Sequence, residues 1–208
     1  MGTPERTAEL LDRISCGGAE AVGELFELFR DRLWRMLVVR LDRRLASRVS
    51  PDDVLQESFL DVSRRIGEYL ADPAVPIYVW LRFIVGQRMQ MVHRVHLEAA
   101  GRDVRQEVAP PTAGFASPDS MAGEFVGHLT SPSQAAIRHE LQDRLRAVLD
   151  AMDPLDREVL ALRHFEELGN NEVAQVLGIT KDAASKRHVR ALKRLKEILS
   201  DPDGPLPT

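Results

Sequence analysis

Apolar residues recur at spacings of three and four along most of this chain, and no strand-like alternation of apolar and polar positions is convincing anywhere. Over residues 5–16, Leu10, Leu11 and Ile14 share one side of a short helix that Gly17-Gly18 interrupts. From Ala19 to about Ala46 a long helix is predicted, with Val22, Leu25, Phe26, Phe29, Leu33, Trp34, Leu37, Val38 and Leu41 interleaved with Glu and Arg. Ser50-Pro51-Asp52-Asp53 then reads as a helix start. Ser50 caps, Pro51 takes the first helical position, and the acids favour the positive end of the helix dipole. That helix should bury Val54, Leu55, Phe59, Val62 and Ile66 while presenting Asp52, Asp53, Gln56 and Glu57 near its start.

Residues 71–77, ADPAVPI, form a loop stiffened by two prolines. The next helix, from Tyr78 to about Leu97, has two arcs. Leu81, Ile84, Val85, Met89, Val92 and Val95 fall on one; Arg82, Gln87, Gln90, His93 and Arg94 fall on the other. Arg88 lies on the apolar arc, which predicts a buried ion pair with an acid such as Glu57.

Composition shifts after that. Ala109 to Pro132 is rich in Pro, Gly, Ser, Ala and Thr and has little periodicity, so 106–132 is expected as a flexible linker between domains at 1–105 and 133–200. Ser133 should cap a helix ending near Met152, and Asp153-Pro154-Leu155-Asp156 restarts the chain as another, carrying Val159, Leu160 and Leu162. Residues 201–208 are expected as a disordered tail. The predicted class is all-α: two small helical domains on a linker.

The stretch 170–199 changes the picture from fold to chemistry. Val173, Ala174, Val176 and Leu177 have helical spacing; Gly178 stands where a helix end needs positive φ, and Thr180 caps the next run. A helix, a tight glycine turn and a second helix with exposed cations make a helix-turn-helix, which enters the DNA major groove. On a wheel of about 100° per residue, Ala184, His188, Ala191, Leu192, Leu195, Ile198 and Leu199 form the core face. Lys186, Arg190, Lys193 and Arg194 oppose them, with Arg187 on the flank. Seven Lys and Arg stand against Asp182 and Glu197 over residues 181–199, a net +5 in a chain whose formal charge is −4. Such local excess is the footprint of a polyanion partner.

Other classes fare worse. Cys16 is the only cysteine, so neither a disulfide nor a cysteine zinc site can form. His93 and His96 are three apart on a helix but lack a third ligand and sit among arginines, so no metal is expected. No nucleophile–base set, phosphate loop or paired carboxylates stand out, so neither catalytic residues nor a cofactor are expected, and the protein is not read as an enzyme. The longest apolar candidate, Pro73 to Leu81, is too short to span a bilayer, and the N-terminus lacks a signal core. A cytoplasmic, soluble protein is expected.

Three blocks together resemble one family: PDDVLQESFLDVSRRI, PIYVWLRFIVGQRMQMVHR and DPLDREVLALRHFEELGNNEVAQVLGITKDAASKRHVRALKRLKEIL. In order and spacing they are similar to the bacterial RNA polymerase sigma factors of the sigma-70 family, in the compact extracytoplasmic-function branch. The resemblance implies a region 2 domain that melts promoters, a linker, and a region 4 helix-turn-helix domain. It implies RNA polymerase core and promoter DNA as partners, with an anti-sigma protein as a further partner seen in relatives. Asp52, Asp53, Gln56 and Glu57 match the positions that grip the clamp coiled coil of the β′ subunit. Arg82, Gln87, Gln90, His93 and Arg94 match the track for the minus-ten strand, with Tyr78 and Phe83 on or near its face and the 71–77 loop as the pocket for a flipped base. Lys181, Ser185, Lys186, Arg187, Arg190 and Arg194 match the minus-thirty-five reader, with Arg187 and Arg190 assigned to bases and the lysines and Arg194 to phosphates.

This chain also departs from the family. Val79-Trp80 replaces the adjacent aromatics of primary sigma factors, and Trp80 is read as packing rather than as a wedge. Gln87 stands where many relatives have Asn, and Met91 where many have Asp. Leu160 to Phe165 either face the β flap or belong to the core. The alternative function is a stand-alone helix-turn-helix regulator whose first hundred residues sense or dimerise.

Overall fold

The computed structural model describes residues 3–45, 48–98, 114–129 and 135–200. Within them lie nine α-helices, α1 (Thr3–Ser15), α2 (Glu20–Arg40), α3 (Pro51–Ala71), α4 (Ile77–Glu98), α5 (Pro118–Leu129), α6 (Ala135–Ala151), α7 (Pro154–His164), α8 (Asn170–Leu177) and α9 (Lys181–Ser200), and a short 3₁₀ turn (Arg43–Leu45). The described residues contain no strand. The chain divides into two compact units, Met1–Leu37 with Leu41–Gly114 and Val38–Arg40 with Phe115–Thr208.

In the first unit, α3 begins as its sequence dictates. Ser50 Oγ accepts from the Asp53 backbone N–H at 3.1 Å, and Asp53 Oδ2 accepts from the Ser50 N–H at 2.8 Å. This reciprocal box satisfies two donors that a helix start otherwise leaves unpaired. The apolar stripes then meet: Leu25, Leu33 and Leu37 of α2, Val54, Leu55 and Val62 of α3, and Leu81, Ile84, Val85 and Met89 of α4 are all buried. Phe59, expected inside, is half-buried with its ring edge-on to Phe26 at 5.6 Å. Val95, expected on the apolar arc, is exposed.

The stretch expected as linker holds a structured helix. In α5, Met121, Ala122 and Val126 are buried with Leu145, Val148 and Leu149 of α6. Small residues hide this helix from a periodicity search: Pro118 sits at its start and Gly123 and Gly127 lie within it. The remaining linker residues 106–113 and 130–132, the expected cap Ser133 and the tail 201–208 lie outside the described residues.

Asp153 Oδ1 caps α7, accepting from the N–H groups of Leu155 at 2.8 Å and Asp156 at 3.3 Å. Within the second unit Arg40 is buried and pairs with Glu158 and, at 2.7 Å, with Glu166. Leu160, Ala161, Leu162 and Phe165 are buried as well, which decides between their two readings: they are core and not an open docking face. No described helix is long and apolar enough to cross a membrane.

Candidate nucleic-acid interface

Local chemistry fixes the turn between α8 and α9. Gly178 has φ 64°, and the N–H groups of Gly178 and Ile179 both donate to Ala174 O, the latter at 3.0 Å. A side chain at that φ would be strained, so the helix can end this tightly only on glycine. At the other end of α8 the Gly169 N–H donates to Glu172 Oε2 at 2.7 Å. Thr180 Oγ1 accepts from the Ala183 N–H at 3.2 Å and starts α9. The two helices of the predicted motif are thus closed by their own residues.

Only a narrow stripe anchors α9. Ala184, Ala191 and Leu195 are buried, while His188 is half-buried with its Nε2 3.2 Å from His164 Nε2. Leu192, expected in the core, is 38% exposed and Val189 is 64% exposed, because both fall outside the 184–188–191–195 line. The side chains of Ile198 and Leu199 lie outside the described residues. Lys181, Lys186, Arg190, Lys193 and Lys196 are exposed. Lys186 Nζ lies 2.7 Å from Asp182, whose carboxylate raises the lysine pKa. Ser185 is half-buried, as is Arg194, whose Nη1 donates to Ala151 O at 3.3 Å.

The two arginines assigned to bases share one carboxylate. Arg190 donates from Nε to Asp156 Oδ2 at 2.5 Å and from Nη2 to Oδ1 at 2.7 Å. Arg187 Nη1 donates to Asp156 Oδ1 at 2.6 Å and to Asp153 Oδ1 at 3.2 Å. Burial pushes the Asp156 pKa up, but the hydrogen bonds from Arg190 and Arg187 outweigh it and hold the carboxyl below its ordinary value. Asp156 escapes a sequence search because its partners are 31 and 34 residues away. The one available signal was an acid in the first turn of α7.

In the first unit, α4 differs from its two-arc projection. Arg82 is only 4% exposed and Tyr78 only 2%, so neither lies on an open track. The cause is local: the first turns of α4 are packed on both sides, and the polar face opens only from Gln87 onward. The Arg32 guanidinium lies 3.7 Å from the Tyr78 ring centroid, and Trp80 packs against Tyr69 at 5.3 Å. Gln87 is exposed and accepts from Arg65 Nη1 at 2.9 Å; Arg94 is exposed, and Gln90 and His93 are half-buried. His93 Nε2 accepts from the Asp42 N–H at 3.3 Å, and burial pushes its pKa down.

At the start of α3 the four polar residues have unequal freedom. Asp53 is engaged in the capping box, which lowers its pKa through the Ser50 backbone N–H and then the Ser50 hydroxyl. Asp52 pairs with Arg30, and Glu57 Oε2 lies 3.4 Å from Arg88 Nη1. Gln56 and Asp52 border a groove of about 380 Å³ between α2 and α3, whose apolar part is Phe26, Leu55 and Phe59. Arg30 and Phe26, which the sequence did not single out for this surface, line it too. Among the described residues no three metal-ligating side chains gather.

Residues 148–197 match the family model for sigma-70, region 4. The chain is 25% identical over 202 residues to the RNA polymerase sigma-H factor of Pseudomonas aeruginosa, covering 96% of each. It is 28% identical over 193 residues to the ECF RNA polymerase sigma factor SigD of Mycobacterium tuberculosis, covering 93% of this chain and 84% of that one. Among solved structures, CnrH in complex with the cytosolic domain of CnrY has a similar fold, with a TM-score of 0.56 at 22% identity over 96% of this chain and 99% of that one.

Proposed function

The chain belongs to the sigma-70 family of RNA polymerase sigma factors, in its extracytoplasmic-function branch, and on that premise we propose that it directs core polymerase to specific promoters with its two units dividing the work. It is a non-catalytic subunit. One observation carries the reading furthest: a glycine-closed helix-turn-helix presents a helix of net +5 in a chain of net −4.

The second unit contacts the upstream promoter element through α9. Lys181, Lys186, Lys193 and Arg194 neutralise phosphate, and Ser185 lets the backbone approach. Direct base contact falls to Arg190, whose side chain is 58% exposed, ahead of Arg187 at 24%. In the first unit, Gln87, Gln90, His93 and Arg94 offer polar groups to the melted strand, which needs a basic track more than a base code. Arg82 is too deeply buried to belong to that track.

The start of α3 supplies the polymerase contact. Gln56 and Glu57 are its exposed core, Asp52 adds charge beside Arg30, and Asp53 holds the helix end that displays them. An acidic, hydrogen-bonding surface of this kind suits a basic partner helix and contributes orientation as much as affinity. A contact with the β flap would have to use residues other than Leu160, Ala161, Leu162 and Phe165, which are core. A protein that holds the factor idle completes the proposal, supported by the CnrH relative having been solved with a bound protein domain.

The test is core dependence. Purified chain should bind promoter duplex weakly alone and give a discrete run-off transcript once core polymerase is added. Tight sequence-specific binding without core would favour the stand-alone regulator.

A further inference from the structure

On the reading that α9 contacts duplex DNA, we propose that Asp156 is a positioning residue for base recognition: it grips one side of the Arg190 guanidinium and leaves the other for a guanine edge. The two short hydrogen bonds to Asp156 use Nε and Nη2, the side-on fork of Arg190. What remains is the end-on fork, Nη1 with the second Nη2 hydrogen. Those two donors match the O6 and N7 acceptors of guanine in the major groove.

Both ends of this arrangement are suited to it. Asp156 is 3% exposed and sits in the first turn of α7, where its own N–H is held by Asp153 Oδ1. The carboxylate is therefore part of the packed unit and not a mobile surface group. Arg190 is 58% exposed along its side chain, and among the described residues no other hydrogen bond engages its second fork. A guanidinium held in this way loses less rotamer freedom on meeting a base than an unsupported one.

Arg187 has a different task. Its Nη1 bridges Asp156 and Asp153, and its side chain is only 24% exposed. It supplies the second positive charge that lets a buried carboxylate remain ionised beside Arg190. Asp153 and Asp156 together balance Arg187 and Arg190, so the net positive charge of α9 comes from its lysines and Arg194.

The opposite role for the same contacts would be an internal stand-in for phosphate, which DNA must displace. Holoenzyme reconstituted from core polymerase and full-length chain separates the two on a promoter library randomised in the upstream element. Wild type should prefer G at one position by roughly 5- to 100-fold, as one bidentate pair allows. Asp156→Asn should lose most of that preference at that position and no other. Arg190→Lys should lose the same preference, and the double variant should lose no more than either alone. An equal loss on every sequence with Asp156→Asn, or tighter binding with the preference intact, would overturn the proposal. If Arg190→Ala changes nothing on any sequence, it is the recognition-helix reading that fails.

Should Asp156→Asn fail to fold, the unaltered protein still decides. The Arg190 Nε–H signal in NMR should stay slowly exchanging when the selected duplex is added. Its loss on binding would show the Asp156 bond breaking and the positioning role false.

Discussion

Arg88 reaches across from α4 to α3, pairing with Asp61 and placing its Nη1 3.4 Å from Glu57 Oε2. The position of Arg88 on an otherwise apolar arc predicted such a partner. The structure adds that Asp61 is the closer acid, with 24% of its side chain exposed. Arg88→Ala should destabilise the first unit by about 1–3 kcal/mol, since it leaves a partly buried carboxylate without its charged donor. Urea denaturation with Asp61→Asn and the double variant measures the coupling, and additive losses would contradict a direct pair.

The clamp surface gives the second prediction. Gln56→Arg combined with Glu57→Arg should abolish core-dependent run-off while leaving circular dichroism and melting close to wild type, because both side chains are exposed. Asp53→Ala should behave differently. It removes the capping box, so melting temperature should fall along with activity. Comparing the two variants separates contact from helix support.

A third prediction concerns acid. Burial pushes the His164 and His188 imidazoles below their ordinary pKa, with Arg163 lowering both further and the neighbouring His164 adding to the effect at His188. The unfolded chain therefore takes up protons before the folded one as pH falls. Stability of the second unit should be fully present above the ordinary histidine range and decline as pH drops through about 6.5, levelling once the folded groups also protonate. Chemical denaturation at pH 7.5 and 5.5 reads this, and His188→Gln should flatten the slope. An unchanged slope would show that the pair does not govern it.

The turn gives a fourth. Gly178→Ala forces a Cβ into a φ of 64°, so it should cost about 1–2 kcal/mol. Nothing lies within 4 Å of the added atom, so the loss would come from backbone strain and not from a clash. Denaturation midpoints for Gly178→Ala and Gly178→Asn check it, with Asn expected to lose less because it tolerates the left-handed region.

Much of this molecule is legible in its sequence. Ser50, Thr180 and Gly178 announce element boundaries because capping is local chemistry between residues a few positions apart. The long stripes on α2, α3 and α4 announce the core for the same reason. What stayed hidden depends on neighbours distant in sequence. Arg82 reads as polar on a wheel, yet packing on both sides of early α4 buries it. Leu192 reads as core, yet the contacts of α9 are too narrow to cover it. Helix α5 is built from small residues with weak contrast, and its partner α6 supplies the burial that reveals it. The Asp156 fork joins α7 to α9, and no spacing rule links residues 156 and 190.

Mapping transcript 5′ ends tests the central claim most directly. With core polymerase and genomic template, the protein should concentrate initiation at a small set of sites that share one upstream motif at a constant distance from the start. Ends scattered as widely as those from core alone would contradict it.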